Sequence, residues 1–333
     1  MSDEPINIVD RFGRIHDYLR ISLTERCNLR CFYCMPEEGI QLRDKSEFMS
    51  TEELISIAQT FVSMGVTKIR LTGGEPFVRK GIDKLIHTLG ELPIELAITT
   101  NAILIDKYIP DLIKAGVKNI NVSLDSLQEE RFNRISRRSF YQKIKENIGL
   151  LLQQGFNLKI NVVLMKGLND DEIIDFIEWT RREPVQVRFI EFMPFSGNNW
   201  KIEKKVSLEE ILETVYSYYG DKDVIKCVDA KNDTSKNYKI KNAMGGFGII
   251  SSVTNPFCSS CNRIRLTADG KIKNCLFSQS ESDLLSTLRV GGDVKNVIRE
   301  TIQGKHKVRG GFDEFSEDQV QKMNNRTMIA IGG

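Results

Sequence analysis

The chain has 333 residues, of which 41% are hydrophobic and 28% charged, and 47 basic residues nearly balance 45 acidic ones. This composition excludes a disordered chain, and a formal net charge of +2 argues against a dedicated nucleic-acid coat. No apolar run reaches the roughly 18 residues that a membrane helix needs, and the polar start lacks a secretory signal. We therefore expect a cytoplasmic protein of about two domains, or one large α/β barrel with an appendage.

Six short runs rich in valine, isoleucine and leucine alternate with helical patterns. They predict strands buried on both faces at residues 18–23, 68–72, 95–99, 119–124, 158–164 and 186–191. Helices are predicted at residues 51–64, 82–89, 107–115, 142–154, 171–182 and 208–219. Capping boxes at Ser50 with Glu53 and at Ser207 with Glu210 indicate two of the helix starts. Six strand–helix units are fewer than the eight of a closed barrel, so the sequence predicts an α/β fold with an open, partial TIM-like (β/α)6 barrel.

The strand–helix pattern stops near Asp221. We expect residues 1–222 to form the partial barrel and residues 223–333 to form a second region packed on it. In barrels of this kind the active site lies at the carboxyl ends of the strands. Four unusual segments fall at such ends, namely 27–34, 72–76, 99–101 and 123–125. This coincidence favours one shared site over four unrelated turns.

Six of the seven cysteines fall in two windows, Cys27, Cys31 and Cys34, and then Cys258, Cys261 and Cys275. Because each window holds three thiols and a cytosolic chain keeps thiols reduced, the clusters indicate metal or catalytic ligands. Three thiolates suit zinc or a four-iron cluster, and such a cluster would keep one iron without a protein ligand. The alternatives are a structural metal at the first window and a zinc ribbon, completed by Cys227, at the second.

The first window resembles a family signature. Its C-x3-C-x2-C spacing, with an aromatic residue before the last cysteine, is similar to that of the radical S-adenosylmethionine (SAM) superfamily. The segment Gly73-Gly74-Glu75-Pro76 resembles the SAM-binding turn of the same superfamily. The resemblance implies that SAM binds the open iron and is cleaved by the reduced cluster to methionine and a 5′-deoxyadenosyl radical. Glycine would let the backbone approach the methionine moiety closely, although glycine in an ordinary turn is the alternative.

The second window adds a further resemblance. Arg263 and Arg265 alternate along a predicted strand between its cysteines, so both guanidinium groups face one side, and such groups suit phosphate oxygens. Together with both cysteine windows and the terminal Gly332-Gly333, this segment resembles the GTP 3′,8-cyclase family of molybdenum cofactor biosynthesis. The likeness covers nearly the whole chain from Phe12.

This second resemblance implies two 4Fe–4S clusters, one on each cysteine window. It implies SAM contacts from Tyr33, Gly73, Gly74, Glu75, Ser123 and Met193. Substrate contacts are implied for Arg20, Arg70, Thr99, Lys159, Arg263, Ile264 and Arg265, with Lys68 and Arg188 as secondary candidates. It also implies a catalytic role for the Gly332-Gly333 tail, which would enter the pocket and assist the reaction.

In that family GTP becomes (8S)-3′,8-cyclo-7,8-dihydroguanosine 5′-triphosphate. A radical abstracts hydrogen from the ribose 3′ carbon, the ring closes on carbon 8 of guanine, and the second cluster binds the base. The implied partners are GTP, a flavodoxin-like or ferredoxin-like reductant and the downstream cyclic pyranopterin monophosphate synthase, with no nucleic acid or membrane. The chain itself would be a monomer or a homodimer.

The residues alone do not name GTP, because the chain lacks G-x-x-x-x-G-K-S/T and a complete dinucleotide fingerprint. One alternative is therefore another radical SAM enzyme with an auxiliary cluster, modifying a peptide or an RNA. A second alternative, from a different class, is a non-catalytic electron carrier or zinc scaffold.

Overall fold

A computed structural model describes residues 7–35, 38–40, 43–323 and 325–332. Its strands are β1 Tyr18–Ser22, β2 Lys68–Thr72, β3 Glu95–Thr100, β4 Asn119–Ser123, β5 Asn157–Leu164, β6 Val185–Glu191, β7 Val224–Lys226, β8 Lys236–Ile240, β9 Gly246–Ile250, β10 Arg263–Leu266, β11 Lys271–Lys273 and β12 Ser282–Asp283. Its α-helices are α1 Thr51–Ser63, α2 Ile82–Gly90, α3 Ile109–Lys114, α4 Glu129–Ser136, α5 Tyr141–Gln153, α6 Ile173–Arg182, α7 Leu208–Tyr219, α8 Leu284–Arg289, α9 Val294–Gln303, α10 Glu317–Lys322 and α11 Met328–Ile331.

The strands form one sheet in the order β12-β11-β10-β1-β2-β3-β4-β5-β6-β9-β8-β7. The run from β10 through β1–β6 to β9 is parallel, and a short antiparallel extension follows at each end. Within the described residues the terminal strands β12 and β7 do not pair with each other, so the sheet stays open. The predicted open barrel is therefore confirmed, with β9 and β10 flanking its six strand–helix units.

Local sequence explains most of the helices. Ser50 and Ser207 each accept a hydrogen bond from the backbone of the glutamate three residues later, and that glutamate accepts one in return, so both predicted capping boxes are confirmed. Helix α1 then buries Leu54, Ile57, Ala58 and Phe61, spaced for one helix face. The prediction missed α4, because only Phe132, Ile135 and Ser136 of its eight residues are buried and half of its residues are charged.

The two faces of the sheet have different environments: central strands such as β2 and β4 are buried on both faces as predicted, but one of those faces carries polar side chains. On β5 the main hydrophobic core contains Leu158, Ile160, Val162 and Leu164. The residues between them, Lys159, Asn161 and Val163, line a cavity on the other face. Successive side chains of a strand point to opposite faces, so the apolar face packs against the helices and the polar face lines the cavity.

The predicted boundary between two domains at residues 222 and 223 stays a prediction. Strands from both sides of that boundary belong to the same sheet. β10 pairs with β1 and β9 pairs with β6, so the later segment flanks the barrel at both edges. A second hydrophobic cluster, which includes Phe195, Phe277 and Ile331, joins the last part of the chain to the barrel. No helix of the described residues has the length and apolarity needed to cross a bilayer.

Candidate active site

A cavity of about 680 Å³ lies on the face of the sheet opposite the main core. Residues from β1–β6 and β10 line it, together with the loops that carry both cysteine windows. The sequence-predicted residues on its lining are Arg20, Cys27, Cys31, Tyr33, Cys34, Arg70, Gly73, Gly74, Thr99, Ser123, Lys159, Met193, Cys258, Cys261, Arg263, Arg265 and Cys275, with the secondary candidates Lys68 and Arg188. The fold thus brings most of the predicted set into one space.

The first cysteine triad, Cys27, Cys31 and Cys34, lies in the loop after β1. This loop is anchored to the end of α4, because the backbone amides of Arg30 and Phe32 donate to carbonyl groups there. Burial raises the pKa of all three thiols, and nearby carboxylates raise it further. Thiolates are the ligand form, so this triad needs a bound cationic group to stabilise them. That requirement fits an iron–sulfur cluster.

Tyr33 links this loop to the neighbouring strand ends. Its hydroxyl donates to Asp125 Oδ2 at 2.5 Å, and the Val163 amide donates to Asp125 Oδ1 at 2.9 Å. Burial raises the pKa of Asp125 to about 6, while these two hydrogen bonds favour its charged form. Asp125 therefore fixes the position of Tyr33 at the edge of the cavity.

Gly73 and Gly74 lie where the chain leaves β2 and line the cavity, and the structure adds a second reason for glycine to the one expected. The Gly74 amide donates to the Thr24 carbonyl oxygen at 2.7 Å, so this turn packs directly on the segment that precedes Cys27. A Cβ atom on Gly74 would lie 2.4 Å from the Arg26 carbonyl oxygen, and one on Gly73 would lie 2.7 Å from that of Thr24. The close approach is between two segments of this chain.

We expect Gly74→Ala to lower the free energy of unfolding by about 1–3 kcal/mol, because the rigid backbone of Arg26 cannot accommodate the added methyl group. Gly149→Ala, in α5 with open space around its Cβ position, is the matched control and should stabilise the chain by about 1 kcal/mol. Denaturant unfolding of both variants checks the pair. Equal stabilities would refute the packing argument.

Glu75, predicted to contact SAM, is fully buried behind the cavity wall and does not line it. Its carboxylate accepts hydrogen bonds from the amide of Asn101 at 2.7 Å, the hydroxyl of Thr100 at 2.8 Å and the amide of Phe77 at 3.1 Å. Burial raises its pKa to about 7 in spite of these bonds. Glu75 thus joins the ends of β2 and β3.

The second cysteine triad, Cys258, Cys261 and Cys275, lies beside β10. The Arg309 amide donates to Cys258 Sγ at 3.3 Å, and Lys305 Nζ donates to Cys261 Sγ at 3.5 Å. Burial would raise the pKa of Cys261, but the cations of Lys305 and Arg263 lower it to about 7. Cys261 is therefore poised to bind a metal as its thiolate.

The zinc ribbon alternative is disfavoured by the placement of the cysteines. Cys227 follows β7, is half-buried and does not line the cavity that holds the second triad. Among the described residues no three His, Cys, Asp or Glu side chains are grouped closely enough to hold a single metal ion. The thiols of each triad nevertheless interact electrostatically with one another. Three neighbouring thiols of this kind suit a cluster in which each thiolate binds a different iron.

Arginine side chains form a row across three adjacent strands. Arg20 of β1 stands in register with Arg265 of β10 on one side and with Arg70 of β2 on the other. Like charges directly opposite one another destabilise a sheet, and burying them adds a desolvation cost. Burial lowers the pKa of Arg20 to about 10, and the charges of Arg70 and Arg263 contribute in the same direction. An anion of several charges would offset this repulsion.

Further cations lie in the same cavity. Arg188 donates to Asn161 Oδ1 at 2.6 Å, and Lys159 lies between β4 and β6 on the same face. Tyr18 also lies here: burial would raise its pKa, but Arg70, Arg20 and Lys68 lower it to about 8. The cavity is therefore strongly electropositive at the end formed by these strands.

Ile264 takes a position that differs from the expectation, whereas Gly332 contacts a residue that lines the cavity. Ile264 is fully buried in the main core, because it alternates with Arg263 and Arg265 and so faces away from the cavity. Gly332 is buried against the ends of β1 and β2, and its carbonyl oxygen accepts a hydrogen bond from Arg265 Nη1 at 2.7 Å. Gly333 lies outside the described residues.

Sequence reasoning missed several polar residues that line the cavity, among them Tyr18, Asn121, Asn161, Asn232 and Asp233. Three of them occupy strand positions that alternate with core residues, and this polar alternation was the signal available in the sequence. The other two belong to the polar segment between β7 and β8, whose approach to the site depends on the fold alone.

Comparison with known proteins identifies the family to which the chain is similar. Residues 21–180 match the family model of the Radical SAM superfamily, and residues 185–310 match that of Molybdenum Cofactor Synthesis C. Among solved structures, that of Streptococcus suis SuiB bound to precursor peptide SuiA superposes with a TM-score of 0.67 at 17% identity, covering 96% of this chain and 72% of that chain. At that identity the likeness concerns the fold alone.

Relatives found by sequence share a larger fraction of identical residues with this chain than that solved structure does. The chain is 43% identical over 341 residues to the mitochondrial GTP 3′,8-cyclase of Arabidopsis thaliana, covering all of this chain and 86% of that protein. It is 42% identical over 328 residues to the GTP 3′,8-cyclase of Thermodesulfovibrio yellowstonii, covering 97% of this chain and 99% of that protein. Molybdenum cofactor biosynthesis protein 1 of Homo sapiens is 42% identical over 327 residues; this chain spans 51% of its length.

The chain belongs to the radical SAM superfamily and, within it, to the GTP 3′,8-cyclase family. Membership of the superfamily implies a 4Fe–4S cluster and SAM as cofactors.

Proposed function

We propose that this protein is a GTP 3′,8-cyclase, which converts GTP into (8S)-3′,8-cyclo-7,8-dihydroguanosine 5′-triphosphate in the first step of molybdenum cofactor biosynthesis. The observation that carries the proposal is the cavity itself, because it places the row of Arg265, Arg20 and Arg70 beside both cysteine triads. A triphosphate supplies the negative charge that this row requires. The relatives named as cyclases favour this function over the modification of a peptide or an RNA.

The two ends of the cavity have separate tasks in this proposal. Cys27, Cys31 and Cys34 hold a 4Fe–4S cluster, and Tyr33, Gly73, Gly74, Ser123 and Met193 surround the SAM bound to it. When bound, the cluster and SAM supply a carbon radical that can abstract a hydrogen atom from the ribose 3′ carbon of GTP. The surrounding residues orient the nucleotide and exclude water from the reacting carbon.

Cys258, Cys261 and Cys275 hold a second 4Fe–4S cluster, and the guanine base lies against it. Arg20, Arg70, Thr99, Lys159, Arg263, Arg265 and the secondary candidates Lys68 and Arg188 surround the substrate. Glu75 and Ile264 do not line the cavity and support it indirectly. Glu75 holds the loop at Asn101 in place, and Ile264 packs β10 against the main core. This division of tasks follows the alternation of side chains on the strands.

The C-terminal tail belongs to the same site. Arg326 pairs with Asp269 at 2.9 Å and with Glu281 at 2.6 Å, which anchors the segment just before α11. Met328 and Ile329 then line the cavity, and the Gly332 carbonyl oxygen accepts from Arg265. We infer that Gly332 assists the reaction by orienting Arg265, and that Gly333, which lies outside the described residues, shares the catalytic role implied for the tail.

Two partner proteins follow from this function. A flavodoxin-like or ferredoxin-like reductant would supply electrons, and the cyclic pyranopterin monophosphate synthase would consume the product. The chain would act as a monomer or a homodimer.

An anaerobic assay tests the function. The reconstituted protein is mixed with dithionite, SAM and each nucleoside triphosphate in turn, and 5′-deoxyadenosine and the cyclised nucleotide are measured. We expect both products with GTP alone. Formation of 5′-deoxyadenosine without any dependence on a nucleotide would refute the substrate assignment.

The arginine row gives a specific prediction. Arg20→Met removes the central cation, so the KM for GTP should rise roughly 10- to 100-fold, as expected for one lost hydrogen bond to a charged group. The dissociation constant for SAM should change little. Arg299→Met, on the exposed face of α9, is the control for the loss of one positive charge. Steady-state kinetics with GTP measure the KM of both variants. Equal KM values for Arg20→Met and Arg299→Met would argue against the arginine row as the triphosphate site.

A further inference from the structure

Lys305 is a buried lysine at the second cysteine triad that no sequence pattern indicated. Its side chain is 2% exposed, and Nζ donates to Cys261 Sγ at 3.5 Å and to the Arg263 carbonyl oxygen at 3.1 Å. In the part of the chain that the structure describes, it forms no ion pair with a carboxylate. A buried ammonium group is costly unless a negative charge lies nearby, and the Cys261 thiolate is the group in position to supply it.

The backbone around Lys305 is held firmly in place. Lys305 follows α9, and its amide donates to the Ile302 carbonyl oxygen at 3.0 Å. The guanidinium group of Arg14 donates to the carbonyl oxygens of Cys258 at 2.7 Å, Lys307 at 3.0 Å and His306 at 2.9 Å. Arg14 thereby ties the segment that carries Lys305 to the loop that carries Cys258.

Arg14 is fixed in turn by the N-terminal segment of the described chain. Asp10 Oδ2 pairs with Arg14 Nε at 2.6 Å and lies 3.1 Å from His16 Nε2. Burial lowers the pKa of His16 to about 4, and the charge of Lys305 contributes, so His16 is neutral and adds no charge to those of Lys305 and Arg263 beside the triad. The Lys305–Cys261 contact is therefore part of a rigid network.

Within the described ranges, which omit residues 36–37 and 41–42, no lysine or arginine side chain donates a hydrogen bond to a thiol of the first triad. Cys27 Sγ receives the amide of Leu29 at 3.4 Å and the side-chain amide of Asn101 at 3.8 Å, both neutral donors. The nearby guanidinium group of Arg30 donates to the backbone carbonyl oxygens of Cys27 and Leu29 and not to any of the three thiols. The first triad can therefore serve as an internal reference for a change at Lys305.

We propose that Lys305 is a positioning residue that acts through Cys261 to raise the reduction potential of the cluster on the second triad. Reduction adds one negative charge to a 4Fe–4S cluster, so a fixed ammonium group hydrogen-bonded to a ligand sulfur stabilises the reduced form. The inference rests on the proposed function for the presence of that cluster, and on the geometry of Lys305 for the effect.

The test is a redox titration of the full-length chain followed by electron paramagnetic resonance. Lys305→Met removes the charge and the donor, Lys305→Gln removes the charge alone, and Lys305→Arg restores the charge. Lys295→Met, an exposed lysine on α9, is the control for net charge. Each variant is measured as the holoenzyme and also in a Cys27→Ala background, in which the signal of the second cluster stands alone.

We expect a lower midpoint potential of the second cluster in Lys305→Met and Lys305→Gln, a potential near that of the parent in Lys305→Arg and Lys295→Met, and no change at the first cluster. An unchanged potential in Lys305→Met would overturn the inference. If Lys305→Met does not retain the cluster, Lys305→Gln decides in the same way. If Lys305→Met and Lys305→Gln both lose the second cluster while Lys305→Arg retains it, the result also supports a requirement for a positive charge at position 305.

The iron content separates this inference from the proposed function. About eight iron atoms in the parent chain with an unaltered potential in the variants would refute the role of Lys305 alone. About four iron atoms in the parent chain would refute the second cluster and this inference together, while GTP-dependent formation of 5′-deoxyadenosine would still be measurable.

Discussion

Cys27→Ala is expected to abolish the formation of 5′-deoxyadenosine from SAM. Cys27, Cys31 and Cys34 lie together in the loop after β1 and line the cavity, and a cluster that loses one of three protein ligands loses its attachment. The iron content should fall from about eight to about four atoms per chain, because the second triad is untouched. Anaerobic assay with dithionite and SAM, together with iron and sulfide analysis, measures both effects.

Cys227→Ala is the matched control for that variant. Cys227 is also half-buried, but its thiol lies 3.9 Å from the Ile225 carbonyl oxygen, away from the cavity. Iron content and turnover should match those of the parent chain. Residual SAM cleavage in Cys27→Ala, or a loss of iron in Cys227→Ala, would contradict the assignment of the first triad.

Cys261→Ala is expected to separate the two parts of the reaction. The first triad keeps its ligands, so about four iron atoms and binding of SAM should remain. Cyclised nucleotide should fall below detection, because the second triad forms the wall against which we place the guanine. Quantifying 5′-deoxyadenosine and cyclised product in the same reaction measures this separation. Normal product formation would show that the second triad has no part in substrate binding.

The two cysteine variants differ in a way that neither misfolding nor a general loss of stability would reproduce. Cys27→Ala removes the chemistry that starts the reaction and leaves the substrate wall intact. Cys261→Ala leaves that chemistry intact and removes the wall. Both variants should therefore retain about four iron atoms per chain, but only Cys261→Ala should retain the chemistry of SAM cleavage, and Cys227→Ala should be unaffected by either measure.

The elements of the barrel were predictable because its signals are local. The predicted strands agree with the observed ones to within a residue or two, since each is a short apolar run between helical patterns. The capping boxes at Ser50 and Ser207 depend on atoms only three residues apart. Helix α4 was missed because its buried face is too small to produce a clear hydrophobic period.

The candidate site was predictable in part. The cysteine spacing and the Gly-Gly-Glu-Pro turn identify ligand chemistry from neighbouring residues, and most of the residues implied by the resemblance line one cavity. Glu75 and Ile264 were predicted to contact SAM and substrate together with the residues beside them in the sequence. In an extended chain, however, adjacent side chains point to opposite faces, so these two are buried away from the cavity. Lys305 gave no signal, because a lone lysine after a helix is usually solvated.

Local sequence was enough to predict the ligand types, the order of strand and helix units and the open form of the barrel, because each depends on residues close together in the chain. Which side chains share the cavity depends instead on how distant segments pair and pack. Arg20 and Arg265 are neighbours because β1 pairs with β10, and Lys305 meets Cys261 where Arg14 joins their two segments. Such contacts arise from strand register and packing between distant segments, which no local pattern encodes.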